Sequence, residues 1–207
     1  MKRDLITEID GTDITAQVAL TKLTKLRQCA SGFLYDSTGK AHGMLQYPAK
    51  LRELFNVIEE AGTQPIIIWC QFHWEIIKIC HELYEKYGEN QVVNLYGETK
   101  DKDGSIKAFQ EGRARFLVAH PRSGGHGLNL QNCSLEIFYS LDFSWENFEQ
   151  ARARIHRSGQ TKKCTYIYLL CKGTIDEEIY DVLRRKGHAQ EILSEYKKEK
   201  VSAQAVV

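Results

Sequence analysis

Apolar positions recur at helical spacing through the first sixty residues, and from residue 65 they gather into short unbroken runs separated by further helical stretches. Leu20, Leu23 and Leu26 share a face with Arg27, which predicts a helix that ends where the turn formers of residues 29–43 begin. A second helix is expected from about Pro48, with Leu51, Leu54, Phe55 and Ile58 inward and Gly62 as its stop. The run from Pro65 to Cys70 suits a central strand buried on both faces. Ile76, Cys80, Leu83, Tyr84 and Tyr87 then mark a helix closed by Gly88, followed by a strand from Val92 to Tyr96. A helix from Asp103 to Glu111 turns Ile106 and Phe109 inward, and three more strands are expected at Phe116–Ala119, Leu135–Tyr139 and Thr165–Leu170. Thr174 and Glu177 read as a capping box opening a helix that carries Ile175, Ile179, Val182 and Leu183. Strand alternating with helix is the sequence form of an α/β fold, an open and mainly parallel sheet with helices on both faces. The expected organisation is a helical lead-in over 1–62 packing on the lobe, a sheet domain over 63–200, and a frayed tail over 201–207.

The 207 residues suffice for one domain with a real core. Lys and Arg number 28 against 27 Asp and Glu, so net charge does not announce a nucleic-acid partner and any basic surface must be local. One such patch exists: Arg152 to Lys163 holds five Lys or Arg and no acid. Cysteines at 29, 70, 80, 133, 164 and 171 form no Cys-x-x-Cys pair and sit mostly among apolar neighbours, which reads as reduced core residues and not a disulfide or zinc framework. There is no apolar signal core at the N-terminus and no run of membrane-spanning length, so a cytoplasmic protein without a membrane partner is expected.

Candidate chemistry concentrates in two stretches. If Gln150 through Arg157 were helical, Gln150, Arg154 and Arg157 would share a face, presenting an amide and two permanently charged guanidiniums whose forked donors match phosphate oxygens. A solvated basic helix would share the bare spacing. The second stretch, His120 to Leu130, follows a strand end, where open parallel sheets bind ligands. Glycines at 124, 125 and 127 would let main-chain amides approach an anion, and Leu128 could open a helix behind them. A tight strand-to-helix turn is the plain alternative. The loop fits neither a Walker loop nor the dinucleotide fingerprint, since Leu130 stands where the third glycine is needed. His126 and His156 have no convergent metal ligands, and no metal site is expected.

The string Gln150-Ala-Arg-Ala-Arg-Ile-His-Arg-Ser-Gly-Gln160 resembles the last signature motif of superfamily two helicase-like ATPases, and its ending resembles the Swi/Snf branch; the stretch from Leu26 to Tyr35 resembles the linker into the second lobe of small phage or bacterial members. The glycine loop with its Leu-Asn-Leu tail resembles the fifth motif of that family. Ile68-Trp-Cys-Gln71 resembles the fourth, Leu95-Tyr-Gly-Glu-Thr99 a phosphate-contacting segment, and Asp142 to Trp145 the segment before the last motif. The resemblance covers roughly residues 20–185 and implies a C-terminal RecA-like lobe. It makes Arg154 and Arg157 arginine fingers with Gln150 beside them, gives Gly125, Gly127 and Asn129 to the nucleotide, and gives Gln71, Thr99, Arg122, Ser123 and Gly124 to nucleic acid. Many relatives carry Ser-Thr where this chain has His120 and Pro121, so Arg122 or Ser123 would take over that contact. Trp145 would either pack under the finger helix or stack on DNA.

The family's nucleotide-holding motifs, Gly-x-Gly-Lys-Thr and Asp-Glu-x-His, lie on a preceding lobe and do not occur in these 207 residues. The resemblance therefore implies the second lobe of a DNA-stimulated translocase, using ATP and Mg2+ held mainly by an N-terminal lobe in the same polypeptide or in trans, with duplex DNA as substrate. The chain alone is expected to be inactive. Two other classes compete: a non-catalytic module that binds DNA or protein, and a Rossmann-like cofactor enzyme, which the glycine pattern disfavours.

Overall fold

The computed structural model describes the backbone of residues 12–123 and 128–204 and the side chains of 19–123 and 128–190. Five strands form one sheet in the order β4-β5-β3-β6-β7: β3 (Ile66–Trp69), β4 (Val92–Leu95), β5 (Phe116–Ala119), β6 (Leu135–Phe138) and β7 (Thr165–Tyr168). Every pairing is parallel, which requires helical crossovers and explains the alternation seen in the sequence. The all-apolar Ile66-Ile-Ile-Trp69 run is the central strand and is buried throughout.

The pleat divides the core in two. Ile66 and Ile68 join Phe116, Val118, Leu135 and Ile137 under α2 (Ala49–Glu60) and α3 (His73–Tyr87). Ile67 and Trp69 face the other way, into Leu117 and Phe138 and the apolar faces of α4 (Lys102–Gln110), α5 (Trp145–Arg152) and α6 (Ile175–Gln204). Helices thus cover both faces, as the alternation predicts. Gly88 ends α3 with φ +90°, a conformation that side chains rarely adopt.

The lead-in helix α1 (Thr12–Ala30) sets Leu23 and Leu26 against this second core, but Leu20, expected inward, is 65% exposed. The turn-rich stretch after it folds into an antiparallel hairpin of β1 (Phe33–Tyr35) and β2 (Ala41–Gly43). Asp36 organises its turn by accepting from the amides of Thr38 and Lys40. Phe33 is fully buried and stacks on Trp74 of α3 at 4.6 Å, which fixes the hairpin to the lobe.

The start of α6 differs from a simple capping box. Thr174 Oγ1 accepts from the Asp176 amide, while Glu177 reaches back to the amide of Gly173 rather than Thr174. The helix continues to Gln204, past the point near Lys197 where the pattern fades; residues 205–207 lie outside the described structure. No helix among the described residues is long and apolar enough to cross a membrane.

Candidate functional site

The finger stretch does not form the expected helix. α5 stops at Arg152, Ala153 caps it, and Arg154 to Gly159 run through turns. The cause is where the backbone groups go. The Arg154 carbonyl accepts from Leu130 N at 3.1 Å instead of serving a helical amide, Ile155 is drawn fully into the core, and Gly159 turns the chain with φ +99°. Gln160 then locks the turn, its Nε2 donating toward the carbonyls of Cys133, Gln131 and Ile155 at 2.9, 3.2 and 3.3 Å. Gln131 returns the favour from the opposite strand connection, donating Nε2 to the Ser158 carbonyl. Neither glutamine's role was legible, because each depends on a contact between segments about thirty residues apart.

This geometry separates what one helix face would have held together. Gln150, Arg154 and Arg122 line a common concavity of about 330 Å3 with Asn147, Glu146, Ser144 and Pro121. Arg157 lies on the next concavity, its Nε donating to the Ala153 carbonyl at 3.1 Å. The two finger candidates still feel each other: burial and then the Arg157 charge lower the pKa of Arg154, while Glu136 acts oppositely. Arg154 nonetheless stays charged, since a guanidinium titrates far above neutrality. Its fractional exposure is 5% against a solvent-facing Arg157, so one guanidinium is held and the other reaches out.

Arg122 is steered from α5. With its amide turned so that the oxygen faces the guanidinium, Asn147 accepts from Arg122 Nε at 2.9 Å and Nη2 at 3.2 Å. The Arg122 amide donates to His120 Nδ1 at 3.1 Å, which requires that nitrogen unprotonated. Burial, then the Arg122 charge, hold the His120 imidazole below its ordinary range and favour that form.

The remaining candidates sit at the carboxyl ends of adjacent strands: Gln71 after β3, Thr99 after β4, Arg122 and Ser123 after β5. Thr99 gives its hydroxyl proton to Asn94 at 2.7 Å and accepts from Tyr96 N, so that hydroxyl is already engaged. Asn129 is also engaged, its side-chain oxygen accepting from Gln131 N and its carbonyl from Gln110. Leu128 opens no helix; two residues on, the Leu130 amide is given to the finger turn. Gly124, Gly125, His126 and Gly127 lie outside the described residues. Trp145 packs between α5 and α6, its ring 5.6 Å from Phe148 and close enough to Gly187 to leave no room for a methyl there, which favours the packing alternative. All six cysteines are free, with Cys70, Cys80 and Cys133 buried.

Under the finger turn lies a residue that the pattern did not mark. Glu136, at the middle of β6, is fully buried, and neither oxygen has a hydrogen-bond partner among the described residues; the neighbouring Trp69 Nε1 also lacks a hydrogen bond of full geometry. Burial pushes its carboxyl well above the usual carboxylate range, although Trp69, Arg152 and Arg154 pull the other way.

A five-stranded parallel sheet of this order with helices on both faces is a RecA-like α/β fold. Residues 49–159 match the helicase conserved C-terminal domain, and the chain belongs to that family, as a C-terminal lobe of Swi/Snf type. Protein p41 of Acyrthosiphon pisum secondary endosymbiont phage 1 is 27% identical over 212 residues, covering 97% of this chain and 42% of its own length. The chromatin-remodeling ATPase INO80 of Eremothecium gossypii is 33% identical over 154 residues, 72% of this chain and 11% of the relative. The crystal structure of the C-terminal part of the Fun30 ATPase domain shares the fold with a TM-score of 0.58 at 23% identity, over 66% of this chain and 45% of that one. The chain spans less than half the length of each of these relatives.

Proposed function

We propose that this chain is the second motor lobe of a DNA-stimulated ATPase, supplying Arg154 and Arg157 to a nucleotide held chiefly by an N-terminal RecA-like lobe in the same polypeptide or in trans. The observation that carries this reading is the convergence of Arg154, Gln150 and Arg122 on one concavity, with the Arg157 charge beside it. A buried guanidinium backed by a locked turn is pre-positioned, so little reorganisation is needed when negative charge develops on a transferring phosphoryl group. Closure of two lobes would bring Arg154 and Arg157 to the β and γ phosphates. Gly125 and Gly127 would lend main-chain amides there, and Asn129 would support their loop through its own backbone.

The donors that line the concavity are cationic or amide groups with a single carboxylate, Glu146, a set that suits phosphate oxygens and not Mg2+. The metal ion would therefore be held by the other lobe, where it would neutralise phosphate charge. Gln71, Thr99, Arg122 and Ser123, which follow the carboxyl ends of neighbouring strands, are assigned with Gly124 to the backbone of duplex DNA; Thr99 would have to release Asn94 to contribute its hydroxyl. Such a motor works in the cytoplasm, in contact with DNA.

In a protein joining both lobes, Arg154→Ala or Arg157→Ala should lower turnover by about a thousandfold or more while ATP binding changes far less. A loss confined to affinity would sink the finger assignment. The 207-residue chain alone should hydrolyse ATP negligibly, and motor-like turnover by a monodisperse sample, abolished by Arg157→Ala, would overturn the division of labour between lobes.

A further inference from the structure

The basic run from Arg152 to Lys163 contains more cation than two fingers need, and the fold gathers it. Arg152, His156, Arg157, Lys162 and Lys163 line one concavity of about 450 Å3, completed by Gln160, Cys164 and Tyr166. No carboxylate lines it among the described residues. Arg152 packs against rings: its guanidinium lies 4.8 Å from the Tyr166 ring and 5.6 Å from that of Phe148, and its buried Nε has no hydrogen-bond partner among the described residues. The acid behind this wall, Glu136, is fully buried, and burial favours its neutral form. Like charges crowded into a concave surface repel one another, and the field they focus is relieved by a bound anion.

The floor of the concavity is already rigid. Gln160 is anchored to three carbonyls, and its Oε1 accepts from the Lys162 amide at 2.9 Å, which fixes where the two lysines leave the turn. An anion arriving there has to order only side-chain ends.

We infer that this concavity is a phosphate-binding site of the lobe itself, taking a compact polyphosphate, inorganic or the tail of a nucleotide, without help from a second lobe. Forked guanidiniums and lysine point charges together suit an oxyanion with several charges close together. Duplex DNA spreads its charge along an axis and is met by a stripe of cations; a bowl with four permanent cations concentrates charge at one place. The site shares Arg157 with the finger reading but otherwise stands apart from it, resting on Arg152, Lys162 and Lys163.

Titration of the 207-residue chain with tripolyphosphate by calorimetry tests this. Lys162 and Lys163 are exposed, so Lys162→Gln/Lys163→Gln should keep the fold, checked by circular dichroism. That double variant is expected to bind about tenfold more weakly or worse, and added salt should weaken the wild type. Lys102→Gln, exposed on α4 and lining neither concavity, should bind as the wild type does. Absence of binding at millimolar ligand, or equal binding by the double variant, overturns the site. A short DNA duplex serves as competitor: failure to displace tripolyphosphate supports the compact ligand, whereas displacement, with duplex binding lost in the double variant, overturns it in favour of backbone phosphate. Failure here leaves the turnover test of Arg154 untouched, so the two readings fail separately.

Discussion

Near the carboxyl ends of β3 and β6, two cations, on α1 and α2, and two acids, on α3 and α6, are packed inward, and each finds a partner inside the protein. Lys50 Nζ lies 2.7 Å from Asp176 with both side chains at most 5% exposed, and Asp176 also accepts from the Cys171 amide. Glu75, fully buried, accepts from Ser140 Oγ at 2.6 Å and from the amides of Gln71 and Phe72. Arg27 donates to the Leu141 carbonyl and lies over the Phe72 ring, its guanidinium pKa lowered by burial against the opposing pull of Asp142, Glu75 and Asp176. Beyond α5 the arrangement is reversed. There the backbone is tied down by Gln131 and Gln160, while cations line two concavities with only Glu146 among the described lining acids. Charge neutralised internally holds the first region together; charge left in excess over a rigid backbone equips the second for a ligand.

The strongest way to break this contrast is Lys50→Met. It strands a buried carboxylate and should cost about 3–5 kcal/mol in urea unfolding, whereas Lys50→Met/Asp176→Leu should recover most of that loss. If the single variant is neutral, the pair is not a structural tie. Gly187→Ala comes next. A methyl there would sit 2.6 Å from the Trp145 ring, so despite the better helix propensity of alanine the unfolding free energy should fall by about 1–3 kcal/mol. Ser140→Ala removes one donor to Glu75 and one acceptor from Gln71 N, for a loss of about 1–2 kcal/mol.

The smallest effect is a pH dependence at His120. Its folded pKa is lowered, so the unfolded chain binds the proton more readily and stability rises with pH. The contribution is fully present above the ordinary histidine pKa of about 6.5 and is lost as pH falls below it. The urea midpoint of wild type should therefore drop more than that of His120→Gln between pH 7.5 and pH 5. Parallel curves would remove His120 from the account.

Much of this architecture was legible before any coordinates. Ile66-Ile-Ile-Trp69 suited a central strand covered on both faces, and the spacing of Leu51, Leu54, Phe55 and Ile58 suited one helix face. The hairpin at Phe33–Tyr35 and Ala41–Gly43 was not, since strands of three residues are too short to show a period and their anchor, Phe33 on Trp74, is a tertiary contact. The helix expected through Arg157 failed for a similar reason. Nothing local in Ala153-Arg-Ile-His-Arg forbids a helix; the stop comes from Leu130 claiming the Arg154 carbonyl and from the core claiming Ile155. Gln150 and Arg154 were picked out by residue type and spacing and Arg122 by the family resemblance, and all three line one concavity, but by a turn and a loop and not along one helix. Glu136 gave no signal, because one acid in a strand of Leu, Ile and Phe looks like a solvent-facing position of a half-buried sheet.

The most direct measurement is to place Arg157→Ala in a protein joining both lobes and record the urea midpoint and ATP turnover on the same sample. Arg157 is exposed at the finger turn, so the expected result is turnover reduced by about a thousandfold with stability changed by less than about 0.5 kcal/mol. Intact turnover accompanied by a stability loss comparable to that of Lys50→Met would contradict the account, making the second region, like the first, a device for holding the fold.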